Sequence, residues 1–419
     1  MSMLRLAFLS LYDRRATALL TVIAIALSVS LLLGVEKLRR DARLTFANTL
    51  SGTDLIIGAR GGDIALLLYS VFRIGNATNN ITWESYQEIK SLPEVRWTVP
   101  LSLGDSHRGF RVLGTNRDYF KHYRYARKQS LRLSEGAIFD DVFDAVIGST
   151  VARQLDYSLG DRIVVAHGAG AVSLIEHDDK PFRVVGILEP TGTAVDRTVH
   201  VSLSGIEAMH IDWFAGAPVP GKETSVREVR NMDLKPRAIT AFLVGLESKI
   251  AVFKLQRYVN KYPREPLLAI IPGAALQALW DLMGVAENAL RAVSTMVVVT
   301  GLLGMLTVIL SSLEARRREM AVLRSVGARP IHVLGLFMCE AGLLALLGVG
   351  LGLVALYACA LVSRPLIASA FGLHLDIEVL GNLDLTILAA VVAAAFAVGA
   401  LPAFKAYRLS LADGLSMRI

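Results

Sequence analysis

Cysteine is nearly absent from this sequence. Its two cysteines, Cys339 and Cys359, both fall inside one apolar run, so the chain before Cys339 has no thiol. Neither a disulfide framework nor a thiolate metal site can form there. Charged residues are also scarce, because they make up 19% of the chain while hydrophobic residues make up 53%. Soluble domains carry about 25% charged residues, so the composition indicates a membrane protein.

A complete nucleotide-binding motif is missing as well. Gly216–Lys222 fits G-x-x-x-x-G-K, but Glu223 follows where a Ser or Thr hydroxyl would hold magnesium. Two prolines in this segment also remove backbone N–H groups that would cradle phosphate. We interpret the segment as a loop. ATP and Mg²⁺ are then expected to act through a partner chain, with no cofactor bound directly to this one.

Metal and catalytic motifs are equally weak. His167, His177, Asp178 and Asp179 fall within thirteen residues, yet they follow no fixed ligand spacing, so a solvated polar loop is favoured over a metal site. The sequence contains no nucleophile elbow and no paired-carboxylate motif. We therefore predict no catalytic, cofactor-binding or metal residue, and a membrane-bound periplasmic enzyme has no support.

The net charge of +7 does not indicate a nucleic-acid partner. Several basic residues flank apolar runs, where cytoplasmic membrane borders carry them. A spanning helix needs about 20 apolar residues, and four uncharged stretches reach that length. We predict transmembrane helices at 16–35, 292–313, 333–363 and 385–404, with the uncharged part of the third at 341–363. In the third, Gly348 and Gly352 form a small face for close helix packing.

The loops predict the orientation of these helices. The loop between helices two and three carries five arginines: Arg316, Arg317, Arg318, Arg324 and Arg329. The loop at 364–384 has one basic residue, Arg364, against three acids: Asp376, Glu378 and Asp384. By the positive-inside rule the first loop is cytoplasmic and the second is periplasmic. Residues 36–291 are then periplasmic, and both the amphipathic segment 1–15 and the tail 405–419 are cytoplasmic. Four basic residues beyond helix one weaken that local signal: Lys37, Arg39, Arg40 and Arg43.

The sequence of residues 36–291 predicts a mixed α+β domain. Its strand-like runs, bounded by turn residues, begin near residues 54, 110, 145, 162, 182 and 198. Helical patterns cover 82–91 and 250–262, each closed by a proline. Residues 36–50 and 274–290 also have helical patterns, and we expect them to pack together as a stalk. The alternative is two amphipathic helices that lie on the domain.

The loop 314–332 holds the most informative segment. A helix here would have Met320, Leu323 and Val326 on one apolar side, and would end at Gly327 before Pro330. Read from its residues, the segment is either a membrane-surface helix with arginine flanks or a coupling element presented to a cytoplasmic motor.

The run Arg-Arg-Glu319-Met-Ala-Val-Leu-Arg-Ser-Val-Gly327-Ala resembles the signature of the FtsX/MacB-like ABC permease family. Three other stretches are similar to that family: the basic entry to helix one at 13–21, the periplasmic core motifs at 146–152, 159–161 and 182–188, and the tail from Pro402. Leu411 departs from the family tail, which often has proline there. The resemblance covers most of the chain.

The resemblance implies a bacterial inner-membrane permease subunit in two copies, bound to a cytoplasmic ABC ATPase. It assigns ATPase coupling to the motif residues Glu319, Met320, Leu323, Arg324, Val326 and Gly327. The expected work is mechanotransmission, the export or extraction of a lipid, lipoprotein, peptide or small molecule, with a periplasmic adaptor or lipoprotein as a further partner. The alternative is an ATPase-driven scaffold or sensor that activates a periplasmic hydrolase or signalling partner. The sequence does not identify the cargo.

Overall fold

The computed structural model describes residues 3–126, 128–168, 178–214, 217–218, 224–315, 327–371 and 380–408. Contacts divide the chain into two units. We call residues 1–41, 284–369 and 375–419 the helical unit, and residues 42–283 and 370–374 the α/β unit.

Long helices dominate the helical unit. A short helix, Met3–Asp13, precedes span one, Arg15–Asn48; span two is Pro272–Ala315, span three is Pro330–Phe371 and span four is Asn382–Arg408. In the described part of the chain these four helices are long and apolar enough to cross a membrane, over Arg15–Asp41, Pro272–Ser311, Ile331–Ser363 and Asn382–Pro402. The prediction of four apolar helices of spanning length is confirmed for the described residues.

The four spans share one apolar core. Span one contributes Ile25, Val29 and Leu33, and the other spans contribute Met305, Ile309, Phe337, Ala341, Leu344, Val391 and Ala395. Large apolar side chains also point outward, such as Leu20 and Val354. A helix that is apolar all round suits a position between a protein core and lipid.

Every strand in the described residues belongs to the α/β unit. They are β1 (Leu55–Ala59), β2 (Ile81–Thr82), β3 (Val95–His107), β4 (Phe110–Thr115), β5 (Arg124–Tyr125), β6 (Gln129–Ser130), β7 (Leu133–Gly136), β8 (Asp144–Ile147), β9 (Arg162–Ile163), β10 (Ala166–His167), β11 (Phe182–Leu188), β12 (Thr198–Ser202), β13 (Trp213–Phe214), β14 (Ala217–Pro218), β15 (Ala238–Ile239), β16 (Ala241–Leu246) and β17 (Leu267–Ile270). The α-helices of at least five residues between them are Asp63–Leu67, Trp83–Lys90, Asp118–His122, Ser149–Leu155, Leu203–His210 and Val252–Asn260.

One mixed sheet forms the body of this unit. Its order is β17-β1-β16-β3-β4-β12-β8-β11-β7, and β10 and β9 pair with β3 and β11 from the side. The β4–β12 and β8–β11 pairs are parallel, while the other pairs along this order are antiparallel. The predicted α+β character is therefore confirmed.

Both faces of the central strands are buried. On β1, Ile56 belongs to one apolar cluster and Ile57 to another on the opposite face. Phe242, which pairs with Ile57, packs with Leu255 of the helix Val252–Asn260. Side chains alternate between the faces of a strand, so a strand covered on both sides reads as a continuous apolar run.

The chain enters and leaves the sheet at neighbouring positions. β1 is the first strand and β17 the last, and the two pair antiparallel with Ile56 opposite Ile270. The chain before Leu55 and the chain after Ile270 therefore meet the sheet side by side. Span one ends seven residues before β1 and span two begins two residues after β17.

Candidate functional site

The segment assigned to ATPase coupling is only partly described. Glu319, Met320, Leu323, Arg324 and Val326 lie outside the described residues. The backbone φ of Gly327 is 97°, in the left-handed region that favours glycine. Span three begins at Pro330, and the first turn of a helix tolerates proline because its N–H groups are unpaired there. The assignment of these residues to coupling stays a prediction.

Gly348 and Gly352 of span three lie against span one. A Cβ atom built on Gly352 would be 2.8 Å from the Ala26 carbonyl oxygen and 3.1 Å from Val29 Cβ. One built on Gly348 would be 2.6 Å from Ile25 Cγ2. All three distances are shorter than ordinary contacts between non-bonded atoms. The two helices approach closely here because both positions lack a side chain.

Span one also contacts span two through small residues. The Ser28 hydroxyl lies 3.1 Å from the Val297 carbonyl oxygen of span two and 2.7 Å from the Ala24 carbonyl oxygen of its own helix. A Cβ on Gly301 would be 3.1 Å from Ser28 Oγ. Small residues and interhelical hydrogen bonds are typical of helix packing in membranes.

A cluster of four charged side chains joins spans one and two. We call Glu36, Arg39, Glu287 and Arg291 the charged cluster. Arg39 Nη1 lies 3.5 Å from Glu287 Oε2, and Arg291 Nη2 lies 3.4 Å from Glu36 Oε2. Arg39 also donates to Glu36 within its own helix. The Glu36 and Glu287 side chains are 8% and 14% exposed, so both carboxylates are largely withdrawn from water.

A second ion pair joins span one to span four. Arg40 Nη2 lies 3.3 Å from Asp384 Oδ2, and that oxygen also accepts the Gly381 N–H at 2.9 Å. Asp384 therefore satisfies a backbone donor at the first turn of span four while it pairs with Arg40. Span one thus has charged contacts with two other spans within five residues, from Glu36 to Arg40.

Sequence reasoning missed the role of these charges. Arg39 and Arg40 entered the prediction only as basic residues that weakened the orientation signal. Their acidic partners come from helices distant along the chain, so pairing could not be recognised. The available clue was the occurrence of Glu36, Glu287 and Asp384 next to the ends of three different apolar runs.

Most of the nucleotide-like motif lies outside the described residues. Within Gly216–Lys222, only residues 217–218 belong to the described part of the chain, and they form β14. His177 also lies outside the described residues, whereas His167 is in β10.

Comparisons with known proteins extend these observations. Residues 18–246 match the model of the MacB-like periplasmic core domain, and residues 291–411 match that of the FtsX-like permease C-terminal domain. The macrolide export ATP-binding/permease protein MacB of Nitrobacter winogradskyi is 24% identical over 98% of this chain and 60% of its own length. The pyoverdine export ATP-binding/permease protein PvdT of Pseudomonas syringae pv. tomato is 25% identical over 78% of this chain and 47% of its own length.

The chain thus spans 60% or less of the length of these two relatives. Among solved structures, the periplasmic region of MacB from Actinobacillus actinomycetemcomitans aligns over 55% of this chain and 94% of its own, with 12% identity and a TM-score of 0.34. The first of the two family models alone covers more than half of the sequence. The chain belongs to the FtsX/MacB-like family of ABC transporter permeases.

Proposed function

We propose that this chain is the permease subunit of an ABC exporter, and that it converts ATP hydrolysis by a partner ATPase into movement of its α/β unit in the periplasm. The curated relatives are named as macrolide and pyoverdine exporters with ATP-binding and permease functions. ATP and Mg²⁺ act through the ATPase, and the motif Glu319 to Gly327 forms the contact with it. Two copies of the chain bind two ATPase subunits in the bacterial inner membrane.

The observation that carries this proposal is that the chain segments that lead into and out of the α/β unit are neighbours in each of the two units. Within the helical unit, the charged cluster holds span one to span two. Within the α/β unit, the two chain connections meet the sheet as hydrogen-bonded neighbours, β1 and β17. Displacement of the two spans together would therefore reach one edge of the sheet, as the stalk hypothesis requires.

The charged cluster should resist separation of spans one and two, because its two carboxylates are largely withdrawn from water. Removing one partner of a buried ion pair costs about 3–5 kcal/mol, because the remaining charge stays unpaired. The cluster is partly exposed, since the Arg291 side chain is 44% exposed, so a smaller cost of about 1–2 kcal/mol applies to that contact. Separation of spans one and two at this level is then unfavourable, and movement of the pair as a unit is favoured.

The core of the helical unit supports motion rather than conduction. Most of its buried side chains are apolar and come from all four spans, for example Ile25, Met305, Phe337 and Val391. Buried polar residues among the described ones include Thr21, Ser28, Ser294 and Glu340. A hydrophilic path across a membrane requires polar or ionisable groups along it. We propose that both termini are cytoplasmic, which places the coupling segment beside the ATPase and the α/β unit in the periplasm.

Glu319→Arg tests the coupling. The variant is compared with Glu314→Arg, which makes the same charge change five residues earlier. Tagged chains are purified from native membranes, the co-purifying ABC ATPase is identified by mass spectrometry, and its ATPase rate is measured in nanodiscs. We expect at least a tenfold loss of associated ATPase for Glu319→Arg and none for Glu314→Arg. Unchanged association and stimulation in Glu319→Arg would refute the coupling role.

A further inference from the structure

Three side chains capable of binding a metal converge in the α/β unit. Asp105 is in β3, His167 is in β10, and His210 ends the helix Leu203–His210. The antiparallel pairing of β10 with β3 places His167 directly opposite Asp105. One ligand atom from each residue lies within 4.8 Å of the other two. The fold therefore brings together groups separated by up to 105 residues in the sequence.

The distances between these atoms match a tetrahedral metal site. Asp105 Oδ1 is 3.1 Å from His167 Nδ1 and 3.7 Å from His210 Nε2, and the two nitrogens are 3.4 Å apart. Zn²⁺ binds imidazole nitrogen and carboxylate oxygen at about 2.0–2.1 Å, which gives a tetrahedron with edges of about 3.3–3.4 Å. The three observed edges average 3.4 Å. One ion can therefore contact all three atoms without large movement.

Hydrogen bonding sets His210 in the ligating tautomer. Its Nδ1 lies 2.9 Å from the Ile206 carbonyl oxygen, one turn earlier in the same helix. A carbonyl oxygen only accepts, so Nδ1 carries the proton in the neutral ring and Nε2 presents its lone pair to the cluster. Metal-binding histidines commonly have such a backbone partner, which fixes the ring orientation.

The three residues have one buried side and one side that is open to solvent. The Asp105 side chain is 6% exposed, whereas that of His167 is 46% exposed. The three residues line a cavity of about 400 Å³ together with Glu207, Trp213 and Lys235. Three protein ligands beside an accessible cavity are typical of zinc sites that keep a fourth position for water or an exogenous ligand.

We propose that Asp105, His167 and His210 form a binding site for one divalent transition-metal ion of the Zn²⁺ class, with a fourth position open to the cavity. A carboxylate and two imidazoles suit Zn²⁺, and Co²⁺ and Ni²⁺ bind the same donor types. The open position would accept an oxygen or nitrogen donor of a small ligand or a partner protein. The three residues belong to the α/β unit, whereas the charged cluster belongs to the helical unit.

The competing explanation is a hydrogen-bonded triad without metal. The hydrogen bond with the Asp105 carboxylate raises the pKa of His167, which describes an ion pair that needs no further cation. That arrangement leaves the second imidazole, His210, directed at the same carboxylate oxygen at 3.7 Å. His210 Nε2 also lies 3.4 Å from His167 Nδ1, so a metal-free triad includes all three residues, and metal titration distinguishes the two arrangements.

Trp213 supplies a direct signal for the test. Its ring lies 5.6 Å from that of His167 and 5.7 Å from that of His210. Co²⁺ bound between the imidazoles is expected to quench the emission of this tryptophan. The full-length chain is purified without a polyhistidine tag, reconstituted in nanodiscs, stripped with a chelator and titrated with CoCl₂. ZnCl₂ is then added to displace the cobalt.

We expect saturable quenching at one Co²⁺ per chain, reversed by Zn²⁺ and lost in Trp213→Phe. His167→Gln and His210→Gln should weaken binding at least tenfold, while His122→Gln, outside the cluster, should leave it unchanged. Zn²⁺ should also raise the unfolding temperature of the unsubstituted chain and not that of the two cluster variants. The His167 side chain is half-exposed, so its replacement should not prevent folding. An unchanged unfolding temperature of the metal-free His167→Gln chain would establish that the variant folds. The absence of saturable binding, or full-strength binding in both cluster variants, would overturn the proposal.

Discussion

Arg40 and Asp384 join the first and last spans through an ion pair at 3.3 Å. The Asp384 side chain is 8% exposed and that of Arg40 is 27% exposed, so water screens the pair only in part. Asp384 also accepts the Gly381 N–H. One carboxylate therefore fixes both the start of span four and its contact with span one.

A double-mutant cycle with Arg40→Gln and Asp384→Asn measures this pair. Each single change should lower the free energy of unfolding of the helical unit by about 1–3 kcal/mol, because it leaves one charge without its partner. The double change should cost less than the sum of the two. Far-UV circular dichroism during SDS titration of the detergent-solubilised chain follows the loss of helix. Additive effects would contradict a direct interaction.

Gly352→Ala should destabilise the contact between spans one and three. The new methyl group would meet the Ala26 carbonyl oxygen at 2.8 Å, and overpacking of this kind costs about 1–3 kcal/mol. Gly350→Ala is the matched control, since nothing lies within 4 Å of a Cβ at that position. The same SDS titration reports both variants. Equal effects of the two substitutions would argue against close packing at Gly352.

A flexible bis-maleimide should crosslink spans one and two at the charged cluster. Arg39→Cys and Glu287→Cys are combined after Cys339 and Cys359 are replaced by alanine, so that no other thiol competes. The 3.5 Å contact joins the tips of two long side chains, so a reagent that bridges two separated thiols is used in place of direct oxidation to a disulfide. Mass spectrometry after the reaction should detect the linked peptides. The control pairs Arg39→Cys with Val285→Cys, whose native side chain is 76% exposed. Comparable yields for the two pairs would count against the stalk.

The stability of the α/β unit should fall in acid because of His200. Burial lowers the pKa of this imidazole to about 3, and the nearby Arg73 cation adds to the effect. The unfolded chain takes up a proton near pH 6.5, whereas the folded chain remains neutral down to about pH 3. Folding is therefore progressively disfavoured as the pH falls below 6.5, by up to about 1.4 kcal/mol per pH unit.

His200→Phe removes this protonation, so the free energy of unfolding should depend less on pH below 6.5. The aromatic ring keeps contact with Tyr119 and Phe120, whose rings lie 5.3 and 5.9 Å from that of His200. Intrinsic fluorescence is a suitable measurement in the full-length chain. All four tryptophans, Trp83, Trp97, Trp213 and Trp280, belong to the α/β unit. If the free energy of unfolding of His200→Phe depended on pH as strongly as that of the unsubstituted chain, other groups would determine the loss of stability in acid.

Local patterns predicted much of the fold. β11 and β12 begin at the predicted residues, Phe182 and Thr198. The helix Trp83–Lys90 begins after Thr82, whose hydroxyl accepts the Ser85 N–H as a cap. Helix is also predicted over residues 36–50 and 274–290, and the structure has helix over 36–48 and 274–290, as parts of spans one and two.

The longest of the described strands was missed for a physical reason. β3 contains Pro100 and Gly104, and both residues weaken a strand pattern. Its register with β16 places Phe242 opposite Pro100, so the sheet accommodates the proline. The cluster of Asp105, His167 and His210 depends on this strand and could not be found without it. Tertiary pairing, which a single sequence does not reveal, determines both features.

The antiparallel pairing of β1 with β17 gives the α/β unit the chain geometry of an inserted domain. Because Ile56 and Ile270 are opposite each other, the whole sheet is inserted into the chain at essentially one point. Domains whose ends are adjacent can be inserted, lost or replaced with little effect on their hosts. A unit attached in this way can be replaced by another domain with adjacent ends, while the four long helices keep the apolar core that they share.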